Sequence, residues 1–207
     1  MLVVVGGHTR NIGKTSVVAG LIAALPDLQW TAIKITQYGH GVCSSDGDPC
    51  ECTVVDPEHP FAISEEFDPT TGTDSSRFLA AGALRSFWVR TAAGQLGHAV
   101  PGLRRILGGS HHAIVESTSI LQYFKPDLYL VVVDFAAEDF KQSSLHYLDR
   151  ADALVVTRRN LEQPRWSGVA LRLWESKPRF AVEPPQYVTV AMAAFVRGRV
   201  NSSATSG

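Results

Sequence analysis

Gly7-His8-Thr9-Arg10-Asn11-Ile12-Gly13-Lys14-Thr15-Ser16 is the stretch whose reading decides the fold. It follows the apolar run Leu2-Val3-Val4-Val5 and opens a stretch of helical character, residues 14–24. Strand, glycine turn and helix, in that order, are what a phosphate-cradling loop requires. Glycines let backbone N–H groups turn inward around phosphate oxygens, and the helix N-terminus adds the positive end of its dipole. Lys14 has the reach for the β and γ phosphates of a nucleoside triphosphate, and the Thr15 hydroxyl is a hard ligand for Mg²⁺. The reading therefore assigns Gly7, Thr9, Asn11, Ile12, Gly13, Lys14, Thr15 and Ser16 to nucleotide binding. Strict G-x-x-x-x-G-K-T spacing puts a glycine at position 8. This chain has His8 there, and its glycine stands one residue earlier, at Gly7. His8 and Arg10 are each read as a phosphate or second-substrate contact or as a loop residue in solvent, with solvent the favoured reading for His8.

Outward from the loop, apolar runs alternate with amphipathic stretches, the pattern of βα units in a parallel sheet. Strands are expected at residues 2–5, 31–35, 86–90, 112–116, 128–134, 154–157 and 180–182. Helices are expected at 14–24, 75–84, 93–107 (interrupted near Pro101), 141–150, 169–175 and 188–200. Residues 36–73 lack periodicity and are rich in Gly, Asp, Pro, Cys and Glu, so they read as a functional or mobile insert. The expectation is one α/β domain over residues 1–200: a three-layer, mostly parallel sheet flanked by helices, with a Cys-containing insert at about 37–73. The small polar tail, 201–207, is expected to be disordered.

Bulk properties exclude several alternatives. The chain has 207 residues, 45% hydrophobic and 19% charged, with a formal net charge of −1. That length suits one domain with a sizeable core. No basic field argues for nucleic acid or an acidic membrane. No window approaches the roughly 20 apolar residues of a membrane span. The N-terminus lacks a basic segment and a small-residue cleavage site, so it reads as a buried strand rather than a leader. Three cysteines, an odd number, favour reduced thiols or a metal site over a disulfide framework. A cytoplasmic setting is expected.

The interval from Gly7 to Gly13 resembles the loop of dethiobiotin synthetases, which is similar to G-T-D-T-x-V-G-K-T. The middle of the chain is more similar to the molybdopterin-guanine dinucleotide biosynthesis adaptor (the MobB family). The segments that carry this second likeness are Lys34-Ile35-Thr36, Gly72-Thr73-Asp74-Ser75, Ala81-Gly82-Ala83 and Ile114-Val115-Glu116-Ser117. Together the resemblances cover residues 2–156 in order. Ser117 stands where both families usually have Gly, and the segment 41–53 matches neither. The kinship implied is with the group of P-loop NTPases that contains both families, and it implies a P-loop NTPase type of fold. It also implies a homodimer.

Magnesium prefers hard oxygen ligands and usually keeps waters and substrate phosphates in its shell. Beside Thr15, the second ligand is expected at a neighbouring strand end. His112-Ala113-Ile114-Val115-Glu116 is an apolar run that ends on a carboxylate. The resemblance to dethiobiotin synthetases implies that Glu116 is a metal ligand, which places Lys14, Thr15 and Glu116 in the catalytic set. Asp74 is the third candidate, weighed equally against a helix N-cap. The competing reading of Glu116 is a capping or solvated residue.

After the strand 154–157, Thr157 and Asn160 are the candidates to meet the base, with Arg158 able to stack on it. An ordinary polar loop is the competing reading, and nothing here separates ATP from GTP. His40, Cys43, Cys50 and Cys52 bring three thiols and an imidazole into thirteen residues, a set that suits tetrahedral Zn²⁺, with His59 as an alternative fourth ligand. Unconnected thiols are the competing reading. The functional expectation is an Mg-dependent NTP hydrolase or phosphotransferase with an unknown small-molecule acceptor. The alternatives are a nucleotide-dependent adaptor for a partner enzyme of cofactor biosynthesis, and a zinc-binding or redox module with regulatory nucleotide.

Overall fold

The computed structural model describes residues 1–38, 60–157 and 163–204. Within them one eight-stranded sheet has the order β3-β4-β2-β5-β1-β6-β7-β8. The strands are β1 (Leu2–Gly7), β2 (Thr31–Tyr38), β3 (Phe61–Glu66), β4 (Arg85–Ala92), β5 (Ala113–Glu116), β6 (Leu128–Asp134), β7 (Ala153–Thr157) and β8 (Arg179–Val182). The helices are α1 (Lys14–Ala24), α2 (Asp74–Ala80), α3 (Val100–Gly108), the single turn α4 (Gln142–Leu145) and α5 (Val190–Ala204). Every strand pair is parallel except β3 with β4.

Alternation along the central strands produces the three layers. Successive side chains of a strand point to opposite faces, so an all-apolar strand feeds two cores. Val3 and Val5 pack with Val17, Leu21 and Ile22 of α1 and with Met192 and Val196 of α5. Val4, Tyr129, Val131 and Val133 pack on the opposite face with Leu103 of α3 and Ile120. Leu21 is fully buried, so truncating it to Ala should cost about 2–5 kcal/mol in lost transfer energy and cavity.

The three-layer, mostly parallel architecture is the expected one, and several elements differ from their expected bounds. Phe61–Glu66 is a strand inside the segment read as irregular. It lies at the sheet edge, antiparallel to β4, with every residue half-buried, so its alternation was weak. Only Phe61 and Ile63 reach the core. Helix α2 stops at Ala80, short of residue 84, because Gly82 takes a left-handed conformation (φ 100°) and closes the helix end. Pro101 does not interrupt a helix; it sits in the first turn of α3, where its missing N–H costs nothing.

The region 141–150 forms the one-turn α4 and a 3-10 turn at Leu148–Arg150 rather than a continuous helix. The region 169–175 holds only a 3-10 turn at Leu171–Leu173. Helix α5 continues to Ala204, beyond residue 200. Among the described residues no helix is long and apolar enough to cross a membrane. His40, Cys43, Cys50, Cys52, His59, Arg158 and Asn160 lie outside the described residues.

Candidate functional site

The loop between β1 and α1 forms one wall of a cavity of about 850 Å³. Gly13 is the N-cap of α1 with φ 90°, which a residue with a Cβ adopts only with strain. Asn11 is also left-handed, at φ 52°. These two positions bend the loop back on itself. A Cβ on Gly7 would lie 2.7 Å from Lys14 Cδ, so the bare glycine lets the lysine stem run along the backbone. The Lys14 ammonium donates to Thr9 O at 3.0 Å, spanning the mouth of the loop. The N-cap makes no side-chain hydrogen bond, so the first N–H groups of α1 stay available to an anion.

His8 is fully buried, which corrects its reading as a solvent-facing residue. Gly7 and Thr9 line the cavity, while the His8 ring turns into the opposite core against Phe140 and Trp166, each at 5.1 Å between centroids. This direction is why a bulky residue is tolerated where strict spacing wants glycine. Burial lowers the His8 pKa to about 4, only partly opposed by the Val132 backbone and by Asp134. The His8 backbone is held at both ends, its N–H donating to Val132 O and its carbonyl accepting from Lys141 N at 2.8 Å.

Opposite the loop, the strand ends deliver the carboxylates. Register places Glu116 beside Val5 on one side and Lys34 on the other. Thr15 Oγ1 donates to Glu116 Oε2 at 2.8 Å. Lys34 Nζ lies 2.6 Å from Glu116 Oε1 and 2.6 Å from Asp74 Oδ2. Burial alone would lower the Lys34 pKa, but the charges of Glu116 and Asp74 outweigh it and hold the ammonium raised. Burial lowers the Lys14 pKa, assisted by Lys34 and opposed by Glu116.

Thr73, not Asp74, is the N-cap of α2, with its hydroxyl accepting from Ser76 N. Asp74 is thereby left to pair with Lys34 and, at 3.7 Å, with Arg77. Arg77 in turn donates to Ser16 Oγ, tying α2 to α1.

The structure thus brings Gly7, Thr9, Asn11, Ile12, Gly13, Lys14, Thr15, Ser16, Asp74 and Glu116 to one cavity. Thr157 is not on its wall; it is buried at the end of β7, donating to Val133 O at 3.3 Å. Three of the cavity's cationic residues were given no site role in the sequence reading: Lys34, Arg77 and Lys141. Lys34 had a legible signal, a charge inside the apolar strand Ala32-Ile33-Lys34-Ile35. A second recess of about 200 Å³ adjoins the cavity at Lys34, Thr36 and Asp74, bordered by Trp88. The Trp88 indole donates to Thr36 Oγ1 at 3.0 Å.

No protein-family model and no curated protein sequence matches the chain. Solved structures do. HypB of Helicobacter pylori, solved with nickel, superposes with a TM-score of 0.54 at 13% identity over 97% of this chain and 87% of that one. The fold is that of a P-loop NTPase. Two further similar structures are LpxK of Aquifex aeolicus with ATP (TM-score 0.47, 17% identity, 87% of this chain and 53% of that one) and the MinC:MinD cell division complex of Aquifex aeolicus (TM-score 0.38, 14% identity, 89% and 82%).

Proposed function

We propose that the chain binds a nucleoside triphosphate with Mg²⁺ against the loop of residues 7–16 and cleaves its γ-phosphate, by hydrolysis or by transfer to a small-molecule acceptor. The observation that carries this reading is the contact between Thr15 Oγ1 and Glu116 Oε2 across the mouth of a glycine loop. Two hard oxygens side by side, at the helix start that exposes its N–H groups, fit Mg²⁺ and the phosphates it accompanies. When bound, Mg²⁺ supplies Lewis-acid neutralisation of the phosphate oxygens.

The chain's own groups do the rest. The α1 N-terminus and Lys14 hold the β and γ phosphates, and Thr15 and Glu116 face the metal. Asp74 acts through Lys34, which it holds against Glu116. In hydrolysis the water oxygen bonds to the γ-phosphorus. The bond from that phosphorus to the bridging oxygen breaks, its electron pair stays on the diphosphate, and the water's protons leave with phosphate and solvent. An acceptor hydroxyl or amine seated in the recess by Trp88 would take the water's place.

This reading keeps the kinship with the dethiobiotin synthetase and molybdenum-cofactor adaptor group, a cytoplasmic setting and a homodimer as its corollaries. The nucleotide is ATP or GTP, and on the sequence reading alone Asn160 is the candidate to meet its adenine or guanine. Zinc on His40, Cys43, Cys50 and Cys52 is a separate proposal resting on sequence.

Calorimetric titration with Mg–ATP and Mg–GTP tests the reading. The wild-type chain should bind at least one of them, and a folded Lys14→Ala variant should bind neither, since the lysine supplies charge rather than packing. Unchanged affinity in that variant overturns it.

A further inference from the structure

The walls of the main cavity carry five cationic side chains, Arg10, Lys14, Lys34, Arg77 and Lys141, against two carboxylates, Asp74 and Glu116. Both carboxylates are committed to Lys34. Lys14 holds the loop mouth through Thr9 O, and Arg77 is engaged with Ser16 and Asp74. Arg10 and Lys141 have no such engagement, and of the two Lys141 is the one whose backbone is tied to the loop. Among the described residues its ammonium forms no ion pair, and the nearby Asp139 accepts from the Thr9 hydroxyl at 2.6 Å.

Its position is nevertheless fixed. The Lys141 N–H donates to His8 O at 2.8 Å, and three residues on Ser144 Oγ donates to Gly7 O at 2.6 Å. The strap from β6 is therefore stitched to the start of the phosphate loop. That start, residues 7–10, is where Lys14 Nζ ends, so it marks the β/γ end of a bound triphosphate.

Resting on the nucleotide reading above, we propose that Lys141 is a catalytic residue that contacts the terminal phosphoryl group and stabilises the charge that builds on its oxygens and on the bridging oxygen as that bond breaks. It would act as a cation supplied in cis, preorganised by the His8 hydrogen bond. Fixed cations aimed at developing phosphoryl charge are the largest lever available to such a site. Electrostatics fit the role. Burial, with Lys14 and Arg10 close by, lowers the Lys141 pKa to about 8, so the ammonium gains most when an anion enters.

The test compares Lys141→Met, which keeps the stem and removes the charge, with Lys141→Arg and wild type. Calorimetry with Mg–NTP and Mg–NDP and the kcat of NTP cleavage are the readouts, with thermal unfolding as the folding check. Lys141→Met should lose about 10- to 100-fold in triphosphate affinity while diphosphate affinity moves less than about threefold. Its kcat should fall on the order of 100-fold, and Lys141→Arg should recover part of both losses. Equal losses for tri- and diphosphate, or no loss for either, overturn the proposal while leaving the nucleotide reading standing. A wild-type chain that binds neither nucleotide overturns both.

Discussion

Thr15 Oγ1 and Glu116 Oε2 are 2.8 Å apart, so the first turn of α1 and the end of β5 meet through one hydrogen bond between residues 101 positions apart. The hydroxyl comes from the phosphate loop and the carboxylate from the adjacent strand. The carboxylate's other oxygen meets Lys34. The site is therefore a single connected network rather than a set of independent side chains, and substitutions in it should not behave additively.

Glu116→Gln should weaken the magnesium dependence of turnover while leaving nucleotide bound. The amide keeps the shape but loses the charge that balances Lys34 and that, in the proposed function, would face the metal. Lys34 retains Asp74, so the stability loss should stay at about 1–3 kcal/mol, below that of an orphaned buried charge. Activity against Mg²⁺ concentration and urea unfolding measure the two effects. A wild-type Mg²⁺ curve would remove Glu116 from the site.

The loop, its helix and the strand ending at Glu116 were legible because each is a local pattern: apolar run, glycine turn, Gly-Lys-Thr. What was not legible depends on long-range packing. Strand β3 pairs antiparallel at an edge and carries the polar run Ser64-Glu65-Glu66, so no local period announced it. Lys141 reaches the loop through a backbone bond to His8, which spacing alone does not reveal. His8 was misread because polarity suggested solvent, whereas the loop's alternation turns its ring into a cage of Phe140 and Trp166. Asp74 was weighed as an N-cap, a role that belongs to the neighbouring Thr73.

His8 makes stability depend on pH in a defined direction. Its folded pKa, about 4, lies below the unfolded value of 6.5, because burial disfavours the imidazolium. Between those values the unfolded chain binds the extra proton, so stability falls as pH drops from 6.5 toward 4 and the penalty is complete near pH 4. From pH 7 to 4.5 His8 should account for about 2 kcal/mol of lost stability. His8→Leu, close in volume and without a titrating group, should lose that much less over the same interval in denaturant unfolding. Equal losses in the two proteins would show that His8 does not report this burial.

The last expectation concerns the thiols, whose residues lie outside the described part of the chain. Thiolates must shed protons to bind Zn²⁺, so binding should release acid and protect Cys43, Cys50 and Cys52 from alkylation. Residues 38–54 lack apolar periodicity, and a tetrahedral metal supplies order where hydrophobic packing does not. About one Zn²⁺ per chain is expected, with His40 as the fourth ligand. Chelation should open this segment to protease while the sheet stays folded, because β2 is held along its whole length by β4. Since β1 and β2 both run parallel to β5, β2 ends at Tyr38 on the same side of the sheet from which the loop of residues 7–16 departs. Elemental analysis of protein purified without added metal decides it: sub-stoichiometric zinc, with all three thiols reacting freely with a maleimide, would sink the idea.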